Sequence, residues 1–484
     1  MRETTMNTLD QAQQALTRHL PSRKDRYYPA FHLAPPVGWM NDPNGLVYFN
    51  HRYHAFYQHH PFSADWGPMH WGHAISEDMV HWHHQPIALA PDSPMDCNGC
   101  FSGSAVVDND RLALIYTGHR WLAEVGDDSQ IFEVQCLATS EDGITFTKQG
   151  VIVTPPPGVM HFRDPKVWAE DGSWWMVVGA RDHQERGQVL LYRGESLTAW
   201  RFERVLAEAK PGEGYMWECP DFFKLGEHHY LMCSPQGITT QGDRFANLFQ
   251  SGVMAGHWSP GNDFTVQHGF TELDNGHDFY APQSLTAADG RRVMMAWMDM
   301  WESVMPTKQE GWCGSFTLPR ELSEEAGRLR QRPLRELQAL RQEEWRLTEQ
   351  KICGDYVLAQ EASSAELFLQ WGPRQSSVAQ FGLKIGDGVT LSYHVVEGYL
   401  SLKRDYPELG IQDSRRVHID QTAKQTWQIF IDRSSIEVFI NDGQTVLSSR
   451  IYPVQHDYQL RLFSEEGELE VETLSFWPLR SAME

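Results

Sequence analysis

Cysteine is scarce in this sequence and carries no pattern. There are seven in 484 residues, an odd number without framework spacing. Cys97 and Cys100 form the one Cys-x-x-Cys, and no second pair stands where a zinc ribbon needs it. The thiols therefore read as reduced, as in a cytoplasmic protein. Positive charge is also in deficit. Lys and Arg total 41 against 64 Asp and Glu, a formal net charge of −23. That excludes nucleic acid and an anionic membrane surface as partners, although a small phosphorylated substrate needs only a local basic pocket. No apolar run is long enough to span a bilayer. Residues 1–24 lack the apolar centre of a secretory leader and read instead as a short amphipathic helix with Leu9, Ala12, Leu16 and Leu20 on one side.

Aromatic residues and turn formers are plentiful. Eighteen Trp beside many polar groups suit sugar binding, where a ring face stacks on C–H groups, and they also suit a β core. From Tyr27 to about Trp301, short runs rich in Val, Ile, Tyr, Phe and Trp alternate with Gly, Pro, Asn and Asp. Within this span one kind of polar stretch returns. Trp39-Met40-Asn41-Asp42-Pro43-Asn44-Gly45 is followed by Phe101-Ser102-Gly103-Ser104, Arg163-Asp164-Pro165, Trp217-Glu218-Cys219-Pro220-Asp221 and Asp278-Phe279-Tyr280-Ala281-Pro282. The steps are about sixty residues, the length of one four-stranded propeller blade. A second repeat keeps the same phase: Ser76-Glu77-Asp78 with Trp82, then Ser140-Glu141-Asp142 with Phe146. The expected fold is all-β, a five-bladed β-propeller followed by a β-sandwich. Residues 1–26 form a helical extension, 27–330 the catalytic propeller, 331–351 a helical linker with Leu334, Leu337 and Leu340 on one side, and 352–484 the sandwich. Asp432 and Glu437 read as strand-edge and turn groups.

Propeller geometry sends one segment of each blade to a central channel, so the spacing gathers Asp42, Asp164 and Glu218 in one pocket. Two carboxyl groups, one charged and one protonated, are what glycoside hydrolysis needs. The turn around Asp42 offers backbone N–H donors that keep it ionised. Glu218, between Trp217 and Pro220, reads as an acid in an apolar setting. Arg163 reads as the cation that keeps Asp164 charged, with both gripping sugar hydroxyls. Pro43, Pro165 and Pro220 are expected to hold the preceding residues extended. His59-His60 and His81 to His84 read as strand residues on alternating faces, not metal ligands.

These motifs, in this order, resemble the signature of glycoside hydrolase family 32, the invertases or β-fructofuranosidases. The resemblance extends through Gly311-Trp312, Leu318 to Glu321 and the Asp432–Phe439 stretch. Within the family it points to the bacterial enzymes acting on sucrose or sucrose-6-phosphate. It implies Asp42 as nucleophile, Glu218 as acid/base and Asp164 as transition-state stabiliser. It implies a fructose site lined by Trp39, Asn41, Gln58, Trp66, Phe101, Ser102 and Arg163, and a small-molecule substrate with no metal or organic cofactor. A fructosyltransferase using the same acids, or a sugar-binding propeller without catalysis, are the alternatives. The preference between sucrose and its 6-phosphate stays open, with Arg120, Arg244 and Lys308 as candidate phosphate ligands, as does a monomer or homodimer state.

Overall fold

The computed structural model describes residues 8–372, 378–419 and 424–483. Residues 1–7 of the N-terminal extension, sandwich positions 373–377 and 420–423, and Glu484 lie outside the described residues.

Five antiparallel sheets, each built from sequential strands, surround one axis. The first blade holds Gly38–Phe49, Arg52–His60, His70–Ser76 and His83–Leu89, and the second starts with Gly99–Asp108 and Arg111–Trp121. The third, fourth and fifth begin at His161–Glu170, Met216–Leu225 and Tyr280–Thr286. The ring closes where Trp312–Cys313, an excursion from the fifth blade, pairs in parallel with Gly38 and Trp39 of the first.

Alternation along the strands explains why whole runs are apolar. In Arg111–Trp121, Leu112, Leu114 and Tyr116 pack on Phe56 and Trp71 of the first blade. Ala113 and Ile115, on the opposite face, pack on Met176 and Val178 of the third. Every blade is covered on both faces by its neighbours, so its middle strands have no solvent side. Each fully buried Leu, Ile or Phe contributes about 1.5–3 kcal/mol by leaving water.

The N-terminal helix spans Leu9–His19. Thr8 and Gln11 form a capping box, and Ala12 and Leu16 pack on Ile87 of the first blade. Leu20, expected on the same apolar face, is exposed, because Pro21 turns the chain into a 3₁₀ segment. The linker also differs from expectation. Instead of a helix over 331–351, the strand Arg328–Pro333 completes the fifth blade, and a short 3₁₀ segment, Arg335–Leu340, precedes the strand Trp345–Glu361. Leu334, Leu337 and Leu340 are all buried. Their interval of three is the 3₁₀ period, which puts all three in line over so short a segment.

In the C-terminal domain two long strands, Trp345–Glu361 and Gln459–Pro478, run antiparallel with a register break near Ile352 and Gly354. One half of Gln459–Pro478 pairs with Gln380–Ile385 and the other with Ala365–Trp371. The long strands thus belong to both sheets of a β-sandwich, whose core includes Trp371, Phe381, Trp427 and Leu462. Asp432 and Glu437 are not edge groups. Both are fully buried where the sandwich meets the propeller, and they bind the two ring nitrogens of His32 at 2.8 and 2.9 Å. Glu437 also accepts from buried Arg320 at 2.7 Å.

Candidate active site

The inner strand of every blade carries a register break at its motif. The breaks fall between Met40 and Pro43, Phe101 and Gly103, Arg163 and Lys166, Glu218 and Asp221, and Tyr280 and Gln283. A bulge re-aims side chains and ends regular pairing, and here it turns polar residues toward the axis. Asp164, Cys219 and Ala281, each followed by proline, have φ of 68°, 48° and 52°. The expectation that proline holds the preceding residue extended therefore fails at Asp164 and Cys219. The bulge requires left-handed backbone there, a conformation that costs of order 1–3 kcal/mol per non-glycine residue.

The bulges open into a funnel of about 730 Å³ on the axis. Asn41, Asp42, Gln58, Trp66, Phe101, Ser102, Arg163, Asp164 and Glu218 all line it. Trp39 does not. It stands behind the wall, stacked on Trp301, and its Nε1 donates to Asn41 Oδ1 at 2.7 Å. Asn41 Nδ2 then donates to Asp42 Oδ1 at 3.0 Å, while Ser102 Oγ donates to Asp42 Oδ2 at 2.7 Å. The donors around Asp42 are therefore side chains rather than the expected backbone N–H groups. Gln58 Nε2 donates to the carbonyl of Cys100 at 2.9 Å. Phe101 stacks flat on His119 at 4.1 Å and meets Trp66 edge-on.

Arg163 does not pair with Asp164. Its Nε and Nη2 donate to Glu218 Oε1 at 3.0 and 2.8 Å, and its Nη1 reaches Glu133 Oε2 at 3.3 Å. The Tyr280 hydroxyl donates to the other Glu218 oxygen. Glu218 thus sits between a guanidinium and a phenol, not in the apolar setting its neighbours in sequence suggest. Asp164 instead receives the Cys219 N–H at 2.9 Å. The Cys219 thiol lies 3.4 Å from Asp42 and 3.5 Å from Asp164, bridging the two.

Burial first, then the nearby Glu218 charge, pushes Asp42 above the ordinary carboxylate value. The same causes, in the same order, raise Asp164 to about 8, and Arg163 only partly offsets them. Asp164 is therefore not held ionised by its neighbour in sequence. Crowded carboxyls share protons, so the cluster keeps at least one at neutral pH. Glu133 behaves oppositely. Burial works against its charge, but Arg163 and His119 hold it down to about 2. It is a fixed anion behind Arg163.

Glu133, His119, Tyr280 and Cys219 were not singled out as functional from the sequence. Tyr280 and Cys219 stand inside the repeated motifs, so blade phase could have found them. Glu133 and His119 face each other across the middle strands of the second blade, at 3.0 Å, and no motif marks them. Among the described residues no group of three or more His, Cys, Asp or Glu is arranged to hold a metal ion. His59 and His60 are each bound to a backbone carbonyl, of Trp39 and Asp65 respectively.

Residues 32–333 match the glycosyl hydrolases family 32 N-terminal domain, and residues 336–478 match the family's C-terminal domain. The chain belongs to glycosyl hydrolase family 32. It is 56% identical to a sucrose-6-phosphate hydrolase of Escherichia coli, over 98% of this chain and all of that one. It is 55% identical to an E. coli raffinose invertase, over 97% of this chain and 99% of the relative. Among solved structures, a family 32 β-fructofuranosidase of Bombyx mori superposes with a TM-score of 0.86 at 35% identity, covering both chains fully. A variant of that silkworm enzyme has been solved with sucrose. As a family 32 member this protein is a glycosidase, and its propeller and sandwich are the family's two domains.

Proposed function

We propose that the enzyme releases the terminal β-D-fructofuranosyl unit of sucrose-type substrates by double displacement. The observation that carries this reading is the convergence of three carboxyls from three blades on one funnel. Asp42, oriented by Asn41 and Ser102, attacks C2 of the fructosyl unit. Glu218 gives a proton to the glycosidic oxygen as that bond breaks. Arg163 and Tyr280 then stabilise the Glu218 carboxylate that results. Glu218 next removes a proton from water, the water oxygen attacks C2, and Asp42 leaves as a carboxylate. Asp164 binds fructose hydroxyls, with Gln58, Trp66 and Phe101 completing the pocket. The seven unpaired cysteines suit a reducing compartment, so the reaction is assigned to the cytoplasm.

Double displacement retains configuration. Turnover of sucrose in aqueous methanol should give methyl β-D-fructofuranoside as the trapped product. Formation of the α-anomer would exclude the mechanism.

A further inference from the structure

The cations near the funnel are already engaged. Among the described residues, seven carboxyl side chains line it against two guanidinium groups, those of Arg163 and Arg181. Arg163 is held by Glu218 and Glu133. Arg181 pairs with Glu185 at 2.5 Å and lies over the Tyr215 ring at 5.1 Å. His161 is kept down to about 4 by burial and by Arg163, so it is neutral at pH 7. The basic residues that the sequence offered as phosphate ligands do not line the funnel. Arg120 lies over Phe132, Arg244 lies over Phe245 within 4.0 Å of Glu272, and Lys308 pairs with Asp65 at 2.9 Å.

The rim by contrast is acidic and solvated. Asp128, Glu185 and Glu302 line it and are exposed. Tyr215 lies within electrostatic reach of both Glu218 and Asp128, so this wall adjoins the acid that protonates the leaving sugar. A side cleft of about 330 Å³ shares Asp128, Arg181 and Glu185 with the funnel and adds Asp182, whose carboxylate is bound to Arg186.

We infer that the leaving-sugar side is built for a neutral sugar, and that the enzyme selects against a 6-phosphate on the glucosyl unit. This rests on the fructosidase reading above. A phosphomonoester carries about −1.5 to −2 charges at pH 7 and needs cationic or N–H partners to replace its water. Here it would meet carboxylates, and the one rim guanidinium would have to leave Glu185 to bind it.

The test is kcat/KM of the full-length enzyme for sucrose and sucrose-6-phosphate at low and high ionic strength, repeated with Glu185→Gln. Sucrose should be preferred by about tenfold or more, equivalent to about 1.4 kcal/mol. The ratio should narrow with salt and move toward the phosphate in Glu185→Gln, by about threefold or more, as Arg181 is released. Equal or better turnover of the phosphate overturns the inference and leaves the fructosidase reading intact. A ratio that neither salt nor Glu185→Gln changes also overturns it. Cleavage of neither substrate removes both.

Discussion

Asp164 and Glu133 are both buried carboxyls within reach of Arg163, yet burial wins at one and Coulomb attraction at the other. Arg163 turns away from Asp164 toward Glu218 and Glu133, and that direction decides the outcome. The consequence for stability has a definite sign. Asp164 stands at about 8 in the folded protein against an ordinary 3.8. Its stabilising contribution is complete below the unfolded value and is lost as pH rises through about 8. Asn mimics the protonated acid and can still accept the Cys219 N–H. Asp164→Asn should therefore match the wild-type Tm near pH 4 and exceed it near pH 8. Tm curves that stay parallel across this range would contradict the assignment. Glu218→Gln should reduce sucrose turnover by about 10²–10⁴. It should reduce turnover far less for a fructoside whose leaving group needs no proton. Equal losses on both, measured side by side, would remove Glu218 from the acid role.

At the scale of elements, the bulge is the repeated device. Three blades place a non-glycine residue before proline in left-handed backbone, and two of those residues, Asp164 and Cys219, line or bridge the acid cluster. Blade period and motif order were legible in the sequence because a blade is a local unit with a fixed length. The direction of each side chain was not, because Arg163 could face its chain neighbour or the next blade, and only the bulge decides. The linker shows the same limit. Its leucines fall on one side in the sequence, but an interval of three fits a 3₁₀ turn as well as a longer helix. His32 shows it at longer range, since its partners Asp432 and Glu437 are 400 residues or more away. Burial lowers the His32 value, but the two carboxylates overcome that and raise it from 6.5 to about 9. The stability it contributes is complete below pH 6.5 and is lost as pH rises through about 9. His32→Gln should lower Tm at pH 7 and flatten its decline between about pH 6.5 and pH 9. An equally steep decline in the variant would show that His32 is not its source.

At the scale of the whole molecule, the sandwich reaches toward the active site through buried ionic contacts. Asp278 Oδ2 accepts from Arg404 Nη1 at 2.9 Å and from the Arg450 N–H at 2.7 Å, both from the sandwich. Two residues later, Tyr280 donates to Glu218. Removing one partner of a buried ion pair leaves an uncompensated charge, at about 3–5 kcal/mol. Arg404→Met should therefore lower Tm by several degrees and reduce kcat for sucrose, though Arg404 touches no substrate. A lowered Tm with unchanged kcat would mean that the sandwich serves stability alone.

The central claim is that Asp42 becomes covalently attached to fructose. The direct measurement is peptide mapping by mass spectrometry after acid-quenching Glu218→Gln during turnover of a fructoside with an activated leaving group. In that variant no general base assists the water, so the intermediate should accumulate. A hexosyl adduct on the peptide containing Asp42, absent when Asp42→Asn is combined with Glu218→Gln, is the result expected. Turnover with no adduct at any time, or an adduct on Asp164, would contradict the account.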